Sequence, residues 1–237
     1  MIPLVIAHRG ASAHAPENTL EAFRLAFDHF KANMIEFDVR AAKDGVPVVI
    51  HDARLERTTT GTGYVAGHTS EQLKTLLIPT LEEVLANFPG RSLAIEIKEK
   101  SRELVHSVMA LVEKYRAGDR VIVGSKHHLV ARQLREHYPT IRRFSSQREV
   151  MGVCLDSRRN KSNPEKDPLG VISVPPSSRG CRLDTPAFID YAHKKEMKVF
   201  FWTINDPDSM KALWEKGADG IITDDPGLAN IQSRAGP

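Results

Sequence analysis

The run Met34 to Asp52, MIEFDVRAAKDGVPVVIHD, constrains the fold more than any other stretch of the chain. It holds two apolar segments, Met34–Val39 and Val46–Ile50, with Lys43-Asp44-Gly45 between them. An Asp-Gly pair in that position is a strong hairpin signal, because a type I′ turn needs φ > 0 at both central residues. With Asp44 and Gly45 as those residues, Lys43 pairs with Val46 and Asp38 lies opposite His51. Opposed residues project to one sheet face, and Glu36, two positions from Asp38, shares it. Apolar burial does not call for two carboxylates and an imidazole together. A solvated hairpin face would account for this hairpin alone, but similar chemistry recurs at other strand ends.

The remaining chain alternates strands and helices. Leu4–Ala7 reads as a short strand ending at His8-Arg9-Gly10. Asn18 as N-cap with Glu21 three residues on resembles a capping box, opening a helix to about Phe30. Leu20, Phe23, Phe27 and Phe30 then face the core. A Gly/Thr-rich loop over Thr58–Gly67 and a short helix near Ser70–Leu76 lead to Pro79-Thr80-Leu81-Glu82-Glu83, a second helix start. Further strands are expected at Leu93–Ile97, Val121–Gly124, Arg142–Ser145, Gly170–Val174, Lys198–Thr203 and Gly220–Thr223. Helices are expected near Glu103–Tyr115, Leu129–Tyr138, Pro186–Lys195 and Asp208–Lys216. Arg158–Asp167 is the most polar connection.

With Val46–Ile50 set aside as the hairpin return, eight parallel strands remain. Eight such strands in 237 residues predict an α/β fold, a TIM (β/α)8 barrel, forming a single domain over residues 1–237. A net charge of +3 is too balanced to imply nucleic acid. The two cysteines, Cys154 and Cys181, form no disulfide framework and fit a reducing compartment. No signal peptide or membrane-spanning run is evident, so the sequence reads as cytoplasmic.

The active site of such a barrel lies at the C-terminal ends of its strands. His8 and Arg9 end the first strand, Glu36 and Asp38 lie on the second, and Glu96 and Lys98 share a face of the third. Phe200-Phe201-Trp202-Thr203 offers an aromatic near the end of a later strand. Glu36, Asp38 and Glu96 form an all-oxygen set suited to a hard cation, Mg²⁺ or Ca²⁺, with no zinc-type spacing beside them. His8 and His51 could flank a substrate as acid and base. Arg9 and Lys98 supply positive charge for an anion. A strand-end imidazole needs no function on its own, but the set points to phosphoester cleavage.

These residues carry a family resemblance. His8-Arg9-Gly10, Pro16-Glu17-Asn18-Thr19, Glu36-x-Asp38, Lys43-Asp44-Gly45 through His51-Asp52, Pro79 to Glu83, Glu96-Ile97-Lys98, Trp202-Thr203 and Asp219 to Asp224 resemble, in order, the motifs of the glycerophosphodiester phosphodiesterase family. The resemblance implies a TIM barrel and metal-dependent hydrolysis of small-molecule glycerophosphodiesters to glycerol 3-phosphate and an alcohol. It implies Glu36, Asp38 and Glu96 as metal ligands and His8 and His51 as the general acid/base pair. Arg9 and Lys98 would contact phosphate, and Trp202 would wall the glycerol or alcohol moiety. The chain departs from the family pattern in a short, truncated insertion before Pro79, and in Ser125-Lys126 where Ser-Phe is common. A solvent-facing Lys126 is the simpler reading of the second departure. A lysophospholipase D-like activity and a catalytically inactive phosphodiester-binding barrel are the alternatives.

Overall fold

The computed structural model describes residues 3–159, 162, 164–178 and 180–229. The strands are β1 (Leu4–His8), β2 (Met34–Ala41), β3 (Pro47–Val49), β4 (Ser92–Ile97), β5 (Val121–Gly124), β6 (Arg142–Phe144) and β7 (Gly170–Val174), then β8 (Ser177–Ser178), β9 (Cys181–Arg182), β10 (Lys198–Phe201) and β11 (Gly220–Thr223). The helices are α1 (Leu20–Arg24), α2 (Ser70–Lys74), α3 (Leu81–Asn87), α4 (Arg102–Lys114), α5 (His128–His137), α6 (Gln147–Arg158), α7 (Pro186–Lys194) and α8 (Pro207–Glu215). Strands β1, β11, β10, β7, β6, β5, β4 and β2 pair in that order, all parallel, and a β1–β2 pairing closes them into a barrel. The predicted TIM barrel is therefore the observed fold. Among the described residues no helix is long and apolar enough to cross a membrane.

The barrel follows from two-residue alternation. Phe37, Val39, Ile95, Ile97, Val121 and Val123 point outward and pack in one cluster with residues of α3, α4 and α5. Inward, each barrel strand contributes one residue to an apolar plug: Ile6, Met34, Ala94, Ile122, Phe144, Val171, Phe200 and Ile222. Fully burying a Phe, Ile or Val side chain contributes about 1.5–3 kcal/mol. Stability therefore resides in these two layers, and the inward positions above the plug are free to be polar. Two residues beyond Ile6, Met34, Ala94 and Ile222 on the same face come His8, Glu36, Glu96 and Asp224.

The hairpin is present with a different turn. Gly45 has φ +78, whereas Asp44 is not left-handed. Lys43-Asp44-Gly45 is thus a three-residue connection with one glycine in the left-handed region, closed by Gly45 N–H donating to Ala42 O. The register is Val39 with Val49 and Arg40 with Val48, so Ile50, not His51, lies opposite Asp38. Ile50 packs into an apolar cluster with Val48, Leu55 and Leu73. His51 reaches the barrel mouth beyond the end of β3.

Three further expectations need correction. Thr19, not Asn18, caps α1, its Oγ1 accepting from Ala22 N–H, and α1 continues as a wider π-helical turn over Leu25–His29. Phe23 and Phe27 are buried there as expected. Helix α6 was not expected from the sequence, because its core face is only Val150, Val153 and Cys154 among many polar residues. Ser146 and Glu149 form the capping box that starts it. Cys154 of α6 and Cys181 of β9 are joined in a disulfide, which pins the β8–β9 strap to α6. Of the polar connection Arg158–Asp167, residues 160, 161 and 163 lie outside the described residues.

The turn after β1 is held tightly against α1. Gly10 has φ +83, and a Cβ there would lie 2.7 Å from Ala22 Cβ and 2.8 Å from the Ala22 carbonyl carbon. Gly10→Ala is expected to cost about 1–3 kcal/mol, read as a lower urea midpoint at unchanged m-value.

Candidate active site

Parallel register places the functional groups side by side. His8 of β1 is the register partner of Glu36 of β2, and Asp38 of β2 is the partner of Glu96 of β4. The carboxylate oxygens of Glu36, Asp38 and Glu96 come within 4.8 Å of one another. Lys98, just past β4, sets Nζ 3.2 Å from Asp38 Oδ1 and 3.1 Å from Glu96 Oε2. Arg9 Nε lies 3.2 Å from Asp38 Oδ2. Asn18 Nδ2 donates to the same oxygen at 3.1 Å.

Arg9 and Asn18 both have left-handed backbones, with φ +57 and +59. They are tied together by Asn18 N–H donating to Arg9 O, and to the barrel by Arg9 N–H donating to Glu36 O. Non-glycine residues persist in that conformation when their surroundings over-determine it. Here the surroundings are β2 and its acids. Asn18, read from sequence as a helix cap, instead serves the site.

The three carboxylates are unequally compensated. Burial opposes ionisation of Asp38, but Lys98, Arg9 and His51 outweigh it and hold this acid below its usual range. Burial and the neighbouring Asp38 charge push Glu36 up to about 8. Glu36 Oε2 is buried with no hydrogen-bond partner; His8 Nε2 lies 3.9 Å from it, a positive partner only when that ring is protonated. An acidic, all-oxygen cluster with an orphaned buried oxygen fits a hard divalent cation.

Both histidines are held by aspartates. His8 Nδ1 is 2.6 Å from Asp224 Oδ1, and His51 Nδ1 is 2.6 Å from Asp52 Oδ1. Ionised carboxylates only accept, so each imidazole donates from Nδ1 and keeps Nε2 as its free nitrogen. Burial works against charge on His8, but the Asp224 hydrogen bond and the Glu36 carboxylate override it and raise its pKa. Burial likewise opposes the Asp224 charge, yet hydrogen bonds from His8 and Asn205 bring it down to about 2. Ser12 Oγ donates to Asp224 as well, at 3.1 Å.

His8, Arg9, Glu36, Asp38, His51, Glu96, Lys98 and Trp202 all line one cavity of about 410 Å³ at the C-terminal mouth of the barrel. Every site residue named from the sequence is therefore brought to one place. Lys126 is exposed and also lines this cavity. The sequence reading did not assign roles to Asp52, Asp224, Glu17 or Arg57. Adjacency in His51-Asp52 could have flagged the first. Asp224 is 216 positions from His8 and becomes its partner only when β11 closes against β1.

The uncompensated Glu36 charge has a consequence for stability. Its pKa is raised above the ordinary 4.5, so between about 4.5 and 8 the folded state holds a proton that the unfolded state has lost. Stability from this group therefore falls as pH rises through that window. In chelator-containing buffer Glu36→Gln should gain stability relative to wild type between pH 5 and 8, on the order of a few kcal/mol by urea denaturation. A constant difference between the two proteins across that range would contradict the assignment.

Comparison with known proteins agrees with this geometry. Residues 8–228 match the glycerophosphoryl diester phosphodiesterase family. A glycerophosphodiester phosphodiesterase of Caldanaerobacter subterraneus subsp. tengcongensis is 31% identical over 255 residues, covering 100% of both chains. The crystal structure of a glycerophosphodiester phosphodiesterase from Thermotoga maritima superposes with a TM-score of 0.78 at 29% identity, covering 98% of this chain and 99% of the other. An Oleispira antarctica phosphodiesterase in complex with the product sn-glycerol-3-phosphate has a TM-score of 0.71 at 25% identity, covering 98% and 96%. On residue order, barrel and mouth chemistry together, the chain belongs to the glycerophosphoryl diester phosphodiesterase family and is a phosphoric diester hydrolase.

Proposed function

We propose that the protein hydrolyses glycerophosphodiesters to glycerol 3-phosphate and an alcohol, using His8 and His51 as general acid and base. One observation carries this reading. Two imidazoles from different segments, each held at Nδ1 by its own aspartate, line the cavity that contains the three-carboxylate cluster. Glycerol 3-phosphate is the product bound by the Oleispira antarctica enzyme, which supports the same product here.

Glu36, Asp38 and Glu96 would hold one divalent cation, Mg²⁺ or Ca²⁺. When bound, such a cation neutralises part of their charge and stabilises negative charge building on the phosphoryl oxygens. One histidine Nε2 takes the proton of the attacking oxygen, and the other returns a proton to the departing alcohol oxygen. The net reaction consumes one water. Lys98 and Arg9 offset the charge of the diester while remaining paired with the acids that fix them. Trp202, 42% exposed at the rim, forms a wall for the alcohol or glycerol moiety.

Release of glycerol 3-phosphate from glycerophosphocholine should disappear on chelation and return with Mg²⁺ or Ca²⁺. His8→Ala and His51→Ala should each lower kcat by a factor of about 10² or more. Near-normal turnover in either variant would sink the two-histidine assignment.

The cavity also favours a second reading. Its lining also includes the apolar side chains Val150, Met151, Val174 and Leu183, a surface suited to an acyl chain. A lysophospholipase D-like activity would use the same acids and histidines. Comparing kcat/KM for glycerophosphocholine and lysophosphatidylcholine separates the readings. The main one expects the small diester to be preferred, and the reverse order would replace it.

A further inference from the structure

Arg57 lies in the connection after β3 and touches none of the carboxylates of the cluster. Its guanidinium nevertheless makes three hydrogen bonds to acids that hold site residues. Nε donates to Asp52 Oδ2 at 2.5 Å, while Nη1 and Nη2 donate to Glu17 Oε2 and Oε1 at 2.8 and 2.7 Å. Asp52 uses its other oxygen for His51 Nδ1. Glu17 Oε1 also accepts from Arg9 Nη1 at 3.0 Å, and Arg9 Nε meets Asp38. One unbroken chain of polar contacts therefore runs from His51 through Asp52, Arg57, Glu17 and Arg9 to Asp38.

We propose that Arg57 is a positioning residue that fixes the His51–Asp52 pair relative to Arg9 and Asp38 by clamping the loop after β3 to the loop after β1. The inference rests on the two-histidine reading above and adds to it the part that sets the distance between its halves. His8 needs no such clamp, because it sits on β1 and its aspartate follows the adjacent strand β11. His51 lies beyond β3; its carbonyl accepts from Arg40 Nε of β2 at 2.9 Å, but its ring is held at Nδ1 by Asp52 rather than by strand pairing. A planar fork with donors at fixed angles can fix that pair in turn, because it pairs bidentately with Glu17 and still reaches Asp52, which a lysine ammonium does not.

The Arg57 side chain is 47% exposed, while its partners Glu17 and Asp52 are 19% and 29% exposed; a bidentate, networked pair of this kind can also contribute to folding, so the test reads the His51 ring directly. Electrostatics keep the clamp engaged near neutral pH. The Arg57 hydrogen bond is the main influence drawing Asp52 down to about 2, and burial of Glu17 is outweighed by Arg57 and Arg9, so that acid is lowered too.

The test uses Arg57→Ala, Arg57→Lys and Glu17→Gln in the full chain, with two readouts. The first is kinetic. With glycerophosphocholine, Arg57→Ala should lose kcat by about 30- to 100-fold at a KM within threefold of wild type, since a displacement of about 1 Å costs on this scale. Arg57→Lys should recover part of the loss, and added guanidinium should partly restore Arg57→Ala. The second readout is independent of turnover: the low-field Nδ1 proton signal of His51, assigned by its absence in His51→Ala. That signal should be present in wild type and broadened or lost in Arg57→Ala, and weakened in Glu17→Gln. An unchanged His51 signal in Arg57→Ala, or kcat within threefold of wild type, overturns the proposal. If wild type fails to cleave the diester while the His51 signal still depends on Arg57, the reaction reading fails and the positioning role stands. If Arg57→Ala does not fold, Glu17→Gln and Arg57→Lys carry the same two measurements.

Discussion

Packing Glu36 and Asp38 onto the inward face of β2, beside Glu96 on β4, is the constraint on which the mouth of this barrel depends. Buried carboxylates are tolerated only when their charge is answered. The fold answers Asp38 with Lys98, Arg9 and Asn18, and Glu96 with Lys98. It leaves Glu36 Oε2 without a hydrogen bond. The left-handed backbones of Arg9 and Asn18 follow from the same demand, because both side chains must turn back toward Asp38 immediately after β1 and before α1. Gly10, wedged against Ala22, is what allows the chain to turn there.

Much of the arrangement was legible in the sequence because it follows from period-two alternation. Glu36 and Asp38, or Glu96 and Lys98, must share a face wherever their strand goes, and the strand count alone points to a closed parallel barrel. Convergence of His8, Glu36, Asp38, Glu96 and Lys98 then needs only the rule that sites lie at the carboxyl ends of strands. Three strands, Val121–Gly124, Gly170–Val174 and Gly220–Thr223, have the bounds expected of them.

What was not legible depends on interactions that local pattern does not encode. Asp44-Gly45 marks a hairpin, but whether one or both residues are left-handed decides the register, and a slip of one residue moves each side chain to the other face. Burial of Ile50 beside Val48, Leu55 and Leu73 selects the register seen. Asn18 has cap chemistry in the right place, yet the buried acceptor on Asp38 claims its amide and Thr19 takes the cap. Helix α6 has a sparse apolar face, and Cys154 meets Cys181 only because α6 packs beneath the β8–β9 strap. In each case a tertiary partner overrides the local signal.

The two histidines show why position in the fold matters as much as residue type. His8 and His51 share one contact, an aspartate 2.6 Å from Nδ1, but their supports differ in kind. The aspartate of His8 directly follows β11, which pairs with β1, and is further bonded by Ser12 and Asn205. His51 and Asp52 are on a connection whose geometry is set by side chains. The ion-paired path through Arg57 and Glu17 replaces with charge-assisted hydrogen bonds what the strand ladder supplies on the other side. The site is therefore asymmetric: one imidazole is carried by a barrel strand, and the other stands on a connecting loop held by side-chain contacts.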